Sequence, residues 1–412
     1  MEFVKQTLAN GLEIVAEVNP EAHTTAVGFF VQTGSRDESE PEAGVSHFLE
    51  HMMFKGTPTR SAEDVNREFD ELGAHYNAFT SEESTVYYAA VLPEYQTAAT
   101  ELLGDIIRPS LRQEDFDTEK KVIIEEIRMY EDQPPFGADD KVKAAHFGDH
   151  PLGKSVLGTV QSITDLTSEA MRDYFRRRYS PGNITLAASG RIDMDQLVKT
   201  AERVCGGWEP VATSRVLPPA VAHPSRMSVH KESAALEYVL QLANAPSCSD
   251  PDRYAAKLMS TVLGDDSGSR LYWAIVDTGR AEHCTISHYD YQGVGLYMTY
   301  LSCDPDETAG NLKQIAKVVA ELQKKGITAE ELAQAKSKTG ARIVLGSEKP
   351  RNRLFAVGGN WLQRKEYRSV QNDLDSVEAV TLDDVARVLQ RWPLINPTSL
   401  AIGPLEKVSW PA

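Results

Sequence analysis

The stretch Gly44-Val-Ser-His-Phe-Leu-Glu-His-Met-Met-Phe-Lys-Gly-Thr57 carries the pattern His-x-x-Glu-His at positions 47 to 51. Read as a helix, it places residues 47, 50 and 51 three and four positions apart, so both imidazoles and the carboxylate leave one face. One metal ion can then meet all three side chains. Zinc favours imidazole nitrogen in a tetrahedral site, and a catalytic zinc takes three protein ligands and leaves its fourth position to water. His47 and His51 together with a carboxylate from elsewhere in the chain complete such a set. Glu50 suits the base instead: beside an activated water it can take the proton as the oxygen attacks a carbonyl carbon. The order is the reverse of the commoner His-Glu-x-x-His and marks the inverzincin arrangement. The competing reading is a helix that presents two surface histidines.

Upstream, residues 7–18 alternate around Asn10-Gly11, a two-residue hairpin signal, and residues 24–34 form a further β-rich run. A sheet therefore precedes the motif helix. Downstream, Ser61-Ala-Glu-Asp64 opens a second helix with a capping-box pattern. Residues 73–80 and 85–91 then read as neighbouring strands around the acidic turn 81–84, and His75 in the first of them reads as structural. Residues 93–107 form an amphipathic helix. The distant carboxylate has to come from the next helix, residues 114–130, which carries Glu114, Asp115, Asp117, Glu119, Glu125 and Glu126. Glu119 and Glu126 stand two turns apart on one face, while Val122, Ile123, Ile124 and Ile127 supply the packing side. Either of the two can face the metal; the bland alternative is an acidic helix surface.

His146 and His150 share helical spacing, but Gly148 and Pro151 interrupt it, and both histidines read as structural. The basic run Arg176-Arg-Arg178 reads as a solvated face. Residues 206–225 contain four prolines and no usable periodicity, which marks a linker. Beyond it the chain echoes itself: Ile163-Thr-Asp-Leu-Thr167, a helix, Pro181 and Leu186-Ala-Ala-Ser-Gly190 recur as Val377-Glu-Ala-Val-Thr381, a helix, Pro397 and Leu400-Ala-Ile-Gly403. The expected fold is α+β, two homologous domains that each pack a mostly antiparallel sheet with helices. Residues 1–205 form the zinc-binding domain and 226–412 a second copy without a metal site. One zinc is expected per chain.

Length and composition fit this reading. The chain has 412 residues, more than one core usually supports, and is 41% hydrophobic and 25% charged, ordinary values for a globular protein. No apolar stretch approaches the roughly 20 residues a membrane helix needs. No secretory signal is visible at the N-terminus, so a cytoplasmic location is expected. With 43 Lys and Arg against 60 Asp and Glu, the net charge of −17 argues against nucleic acid and is compatible with cationic peptides as substrates. The four cysteines show no C-x-x-C spacing and read as buried free thiols.

Taken together, Thr7-Leu-Ala-Asn-Gly-Leu12, the run 44–57, Asn77-Ala-Phe-Thr80, Glu119-Lys-Lys-Val-Ile-Ile-Glu-Glu-Ile127, His150-Pro-Leu-Gly153, Leu157-Gly-Thr159 and Tyr179-Ser-Pro-Gly-Asn183 resemble the pitrilysin family of zinc peptidases, in its short, processing-peptidase-like branch. The resemblance implies that His47, His51 and Glu126 bind zinc, that Glu50 activates water, and that Glu119 supports the site from behind a ligand. It implies that peptide lies extended against the strand around Asn77, Ala78, Phe79 and Thr80. Family members enclose a chamber between two two-domain halves, so a chain of this length implies a dimer. In one respect the chain departs from the pattern. The family's arginine and tyrosine of the second domain fall on Val276 and His283, which points to a heterodimer whose sister subunit supplies that pair. The competing reading is a homodimer in which Arg270 or Arg280 substitutes.

Overall fold

The hairpin signal at Asn10-Gly11 is realised as β1 (Glu2–Thr7) and β2 (Glu13–Val18), paired antiparallel, in the computed structural model, which describes residues 1–411. β3 (Thr25–Val31), β4 (His75–Thr80), β5 (Thr85–Val91) and β6 (Ile184–Gly190) complete a six-stranded sheet in the order β1-β2-β6-β3-β5-β4. The second sheet has five strands, β7 (Arg226–His230), β8 (Glu237–Ala245), β9 (His283–Asp290), β10 (Gly295–Cys303) and β11 (Thr398–Gly403), in the order β7-β11-β8-β10-β9. The two follow one plan. In each, a parallel pair (β2 with β6, β7 with β11) leads into three antiparallel pairings that end on an edge strand, β4 or β9. The repeat read from the sequence is thus a repeat of topology.

The central strands of the first sheet are apolar on both faces, so both faces must be covered. On one face Ala26 and Phe30 of β3, Val86 and Tyr88 of β5, and Val15 and Ala187 pack against Leu354, Val357, Trp361 and Leu362 of the helix Pro350–Arg364. That helix comes from late in the chain. It is anchored by a buried ion pair between Arg353 and Glu17 (2.5 and 2.8 Å), with Tyr367 donating to the same carboxylate at 2.7 Å. In the second unit an early helix does the same work: Ala138, Val142 and Phe147 of Ala138–Phe147 pack against Leu240, Leu242, Leu296, Leu400 and Ile402. His146 of this helix is buried between Thr398 Oγ1 (2.9 Å) and Asn244 Oδ1 (3.0 Å), the structural role expected of it.

The compact units therefore depart from the contiguous division expected at 205 and 226. The first consists of residues 1–128, 154–216 and 345–369, and the second of 129–153, 217–344 and 370–412. The physical reason is the bare apolar face each sheet leaves for a helix encoded in the other half. All four cysteines are buried, and no helix of the described residues is long and apolar enough to cross a membrane.

Candidate metal centre

The motif is helical over Val45–Met52, a short element that needs help at its start. Gly44 precedes it at φ +89°, and a Cβ there would stand 2.5 Å from the Leu157 carbonyl oxygen, so no other residue fits. Because glycine has no side chain to cap with, Glu38 reaches in: its carboxylate accepts the N–H groups of Gly44 (2.7 Å) and Ser46 (2.8 Å). Burial pushes the Glu38 carboxyl up to about 8, against the pull of those two donors. The helix buries Val45, Phe48, Leu49 and Met52, and Phe48 stacks on Phe116 with ring centroids 4.8 Å apart.

Phe116 belongs to the acidic helix, Gln113–Asp132, which buries Phe116, Glu119, Ile123 and Ile127 at spacings of three and four. The packing side is thus shifted from the one expected. Val122 is exposed, and Glu119 itself belongs to the buried stripe, which brings it behind the motif helix.

Glu126 faces both histidines. Its Oε2 is 3.9 Å from His47 Nε2 and 3.7 Å from His51 Nε2, and the two imidazole centroids are 4.7 Å apart. The three groups each offer one donor atom within 4.8 Å of the others, the sole such cluster of His, Cys, Asp and Glu among the described residues. Metal–ligand distances of about 2.0 Å in a tetrahedron put ligand atoms about 3.3 Å apart, so Glu126 Oε2 would close on the two imidazoles by about half an ångström, and the widest pair of donor atoms by up to about 1.5 Å, to suit zinc. Two imidazoles and a carboxylate are the donor set expected of a catalytic zinc. Glu119 takes the other side of His51, with Oε1 2.8 Å from Nδ1, which leaves Nε2 turned toward Glu126. His47 Nδ1 is buried without a hydrogen-bond partner, so only coordination at Nε2 would fix its tautomer.

The titration pattern follows from burial and neighbours. Desolvation, reinforced by His51, lowers His47 to about 3, which keeps its lone pair available near neutrality. For His51 burial alone would lower the value, but the hydrogen bond to Glu119 and the charges of Glu126 and Glu50 raise it above the usual 6.5. Glu119 resists its own burial because His51 and Lys55 hold it ionised, below the usual carboxylate value. Glu50 is raised by burial, with the Thr80 hydrogen bond and His51 opposing.

Of the stretch 77–80, Thr80 has an unforeseen position: its hydroxyl donates to Glu50 Oε2 at 2.6 Å. β4 is an edge strand that pairs only with β5 among the described residues. Phe79 is exposed, Ala78 is buried, and Asn77 Oδ1 accepts the Ala78 N–H at 2.8 Å. His75 lies outside the metal cluster, with Nε2 3.2 Å from Arg351. In the second unit Val276 ends a turn, Tyr272–Val276, and packs against the apolar core, while His283 is exposed at the start of β9. Arg270 is held bidentately by Glu331 (2.7 Å each) and Arg280 by Glu307 (3.0 Å), so both arginines are already engaged. Lys55 is a contributor the sequence did not disclose, and Thr80, expected along the peptide edge, contributes beside Glu50 instead. Each touches a candidate residue through a turn or a strand end, where no periodicity reports facing.

Residues 13–160 match the pattern of the insulinase family, peptidase family M16, and residues 165–339 that of the peptidase M16 inactive domain. An uncharacterized zinc protease of Mycobacterium tuberculosis is 34% identical over 93% of this chain and 89% of its own length. The chain belongs to the M16 peptidase family. An uncharacterized zinc protease of Bacillus subtilis is 31% identical over 92% of this chain and 93% of its own. The M16 fold extends to solved structures of low identity. A protease from Helicobacter pylori superposes with a TM-score of 0.90 at 20% identity, covering 97% of this chain and 98% of that one. A chain of complex III2 from Candida albicans does so with 0.83 at 18%, covering 98% and 96%.

Proposed function

We propose that the chain is a zinc endopeptidase that cleaves peptides or unfolded segments lying as an extended strand along β4. The observation that carries this reading is the convergence of His47 Nε2, His51 Nε2 and Glu126 Oε2 on one point, with Glu50 one helical step away. Bound zinc would supply Lewis acidity there, acidifying water and polarising a scissile carbonyl. Glu50, raised by burial toward the range where a base both accepts and returns a proton, takes the proton of the attacking water and delivers it to the leaving amine. Thr80 keeps that carboxylate in one orientation by its hydrogen bond. A peptide added to β4 would displace the Asn77 side chain from the Ala78 N–H and gain backbone hydrogen bonds along the free edge.

At the positions where the resemblance expects an arginine and a tyrosine, Val276 is apolar and His283 stands instead, and the candidate substitutes Arg270 and Arg280 are ion-paired. This supports the proposal of a dimer whose partner subunit brings an arginine and a tyrosine to the chamber. The test is peptide cleavage by the purified chain with bound metal counted, wild type against Glu50→Gln, alone and with a sister subunit from the same source. Cleavage only with the partner, lost in the variant while zinc remains, is the expected result. Full activity of a homodimer would remove the partner from the reading. Zinc binding without cleavage in any combination would favour a non-catalytic structural or partner subunit instead.

A further inference from the structure

Lys55 stands four residues beyond His51, in the turn that leaves the motif helix, and no step above uses it. Its Nζ is 2.6 Å from Glu119 Oε2, while the other oxygen of the same carboxylate is 2.8 Å from His51 Nδ1. The Lys55 backbone is pinned at both ends. Its N–H donates to Met52 O of the motif helix at 3.1 Å, and its carbonyl accepts Arg112 Nη2 at 2.8 Å from the residue just before the acidic helix. The ammonium thus ties together the two elements that carry the ligands.

We propose that Lys55 is a positioning residue of the metal centre: it holds the Glu119 carboxylate so that its other oxygen fixes His51 with Nε2 presented to the metal. This rests on the zinc site proposed above. A carboxylate held at one oxygen retains broad freedom about its last torsion. An ammonium on the second oxygen removes that freedom, so the first oxygen stays on the Nδ1 side of the His51 ring. The idea makes a prediction opposite in sign to simple charge counting. Deleting a cation near a bound dication would, by Coulomb's law alone, tighten zinc binding. Loss of a positioning contact loosens it.

The experiment is competition for zinc between a chromophoric chelator and the full-length chain at neutral pH, for wild type, Lys55→Met, Lys55→Arg, Glu119→Gln and Lys55→Met with Glu119→Gln. Lys55→Met is expected to bind zinc about tenfold more weakly, in the range that such supporting contacts command. Lys55→Arg should recover most of the loss, and in the Glu119→Gln background Lys55→Met should cost nothing further, because its route is gone. Unchanged or tighter binding in Lys55→Met, or an undiminished loss in the Glu119→Gln background, overturns the role of Lys55 while leaving the zinc site standing. A wild type that binds no zinc overturns both. Should Lys55→Met not fold, Lys55→Gln, which keeps a polar group of similar length, takes its place in every comparison.

Discussion

At the scale of single residues, burial fixes the protonation of the candidate centre before a metal arrives. His47, lowered to about 3, is neutral near neutral pH, whereas His51 is biased toward its cation by Glu119, Glu126 and Glu50. Glu50 differs from both because it is not one of the candidate ligands. Glu50→Gln should leave zinc stoichiometry at wild-type level and lower kcat/KM by about 10²- to 10⁴-fold, as read by fluorogenic peptide hydrolysis and metal analysis on one preparation. Retained cleavage would remove the base from that position. His47, Glu50 and His51 were legible because helical spacing alone gathers them. Glu119 and Glu126 were legible only as a pair: two carboxylates two turns apart on one stripe are equivalent until the docking of the helix turns one toward both imidazoles and the other behind His51. Thr80 was legible only as part of the edge-strand stretch, since a hydroxyl at a strand end carries no pattern of its own.

At the scale of elements, the motif helix depends on a carboxylate outside it. Glu38→Ala would strand the N–H groups of Gly44 and Ser46 in a buried site, and should destabilise the first unit by about 1–3 kcal/mol in denaturant melts. An effect near zero would mean that the helix start is held by packing alone. In the second unit, Asp252 opens the helix Arg253–Gly264 and is clasped by Arg387 (2.5 Å) and Arg391 (2.7 Å) of the helix Leu382–Arg391. The hydrogen bonds from Arg387 lead in holding its carboxyl below the usual 3.8. A depressed acid stabilises the fold above its unfolded pKa, and that contribution fades as the pH falls through the folded value. Melts at pH 7 and at about pH 3 should therefore differ more for the wild type than for Asp252→Asn, which has already lost the charge. Equal acid sensitivity would count against the clasp. Helix Pro350–Arg364 shows a third dependence. Gly358 sits where a Cβ would meet the Phe30 ring at 2.5 Å, so Gly358→Ala should lower Tm despite alanine's better helix propensity. A raised Tm would show that Phe30 can move aside.

At the scale of the molecule, the α+β class and the doubled plan were legible because strand alternation, turn residues and the echo after residue 206 are all local signals. The exchange of helices was not. The pattern of Pro350–Arg364 says that it has an apolar stripe but not which sheet it covers, and the bare face of the first sheet says only that something must cover it. Where activity is concerned, a metal-binding chain with no free arginine at the Val276 or His283 positions should hydrolyse peptide slowly by itself and gain at least tenfold in kcat/KM on mixing with an arginine- and tyrosine-bearing partner, the scale on which donors to developing charge act. No gain, with the chain alone already fast, would place the charge stabilisation within this sequence. The interleaving also sets an order of events in synthesis. The unit that carries the candidate metal centre is encoded first but finished late: its sheet waits for residues 345–369 while the whole of 217–344 is made, roughly 6 to 26 seconds at about 5–20 residues per second. Until then the faces of Phe30 and Tyr88 are open to solvent and to one another's copies on neighbouring ribosomes. A truncation that keeps every candidate site residue, ending at 216, would hold that exposed intermediate permanently.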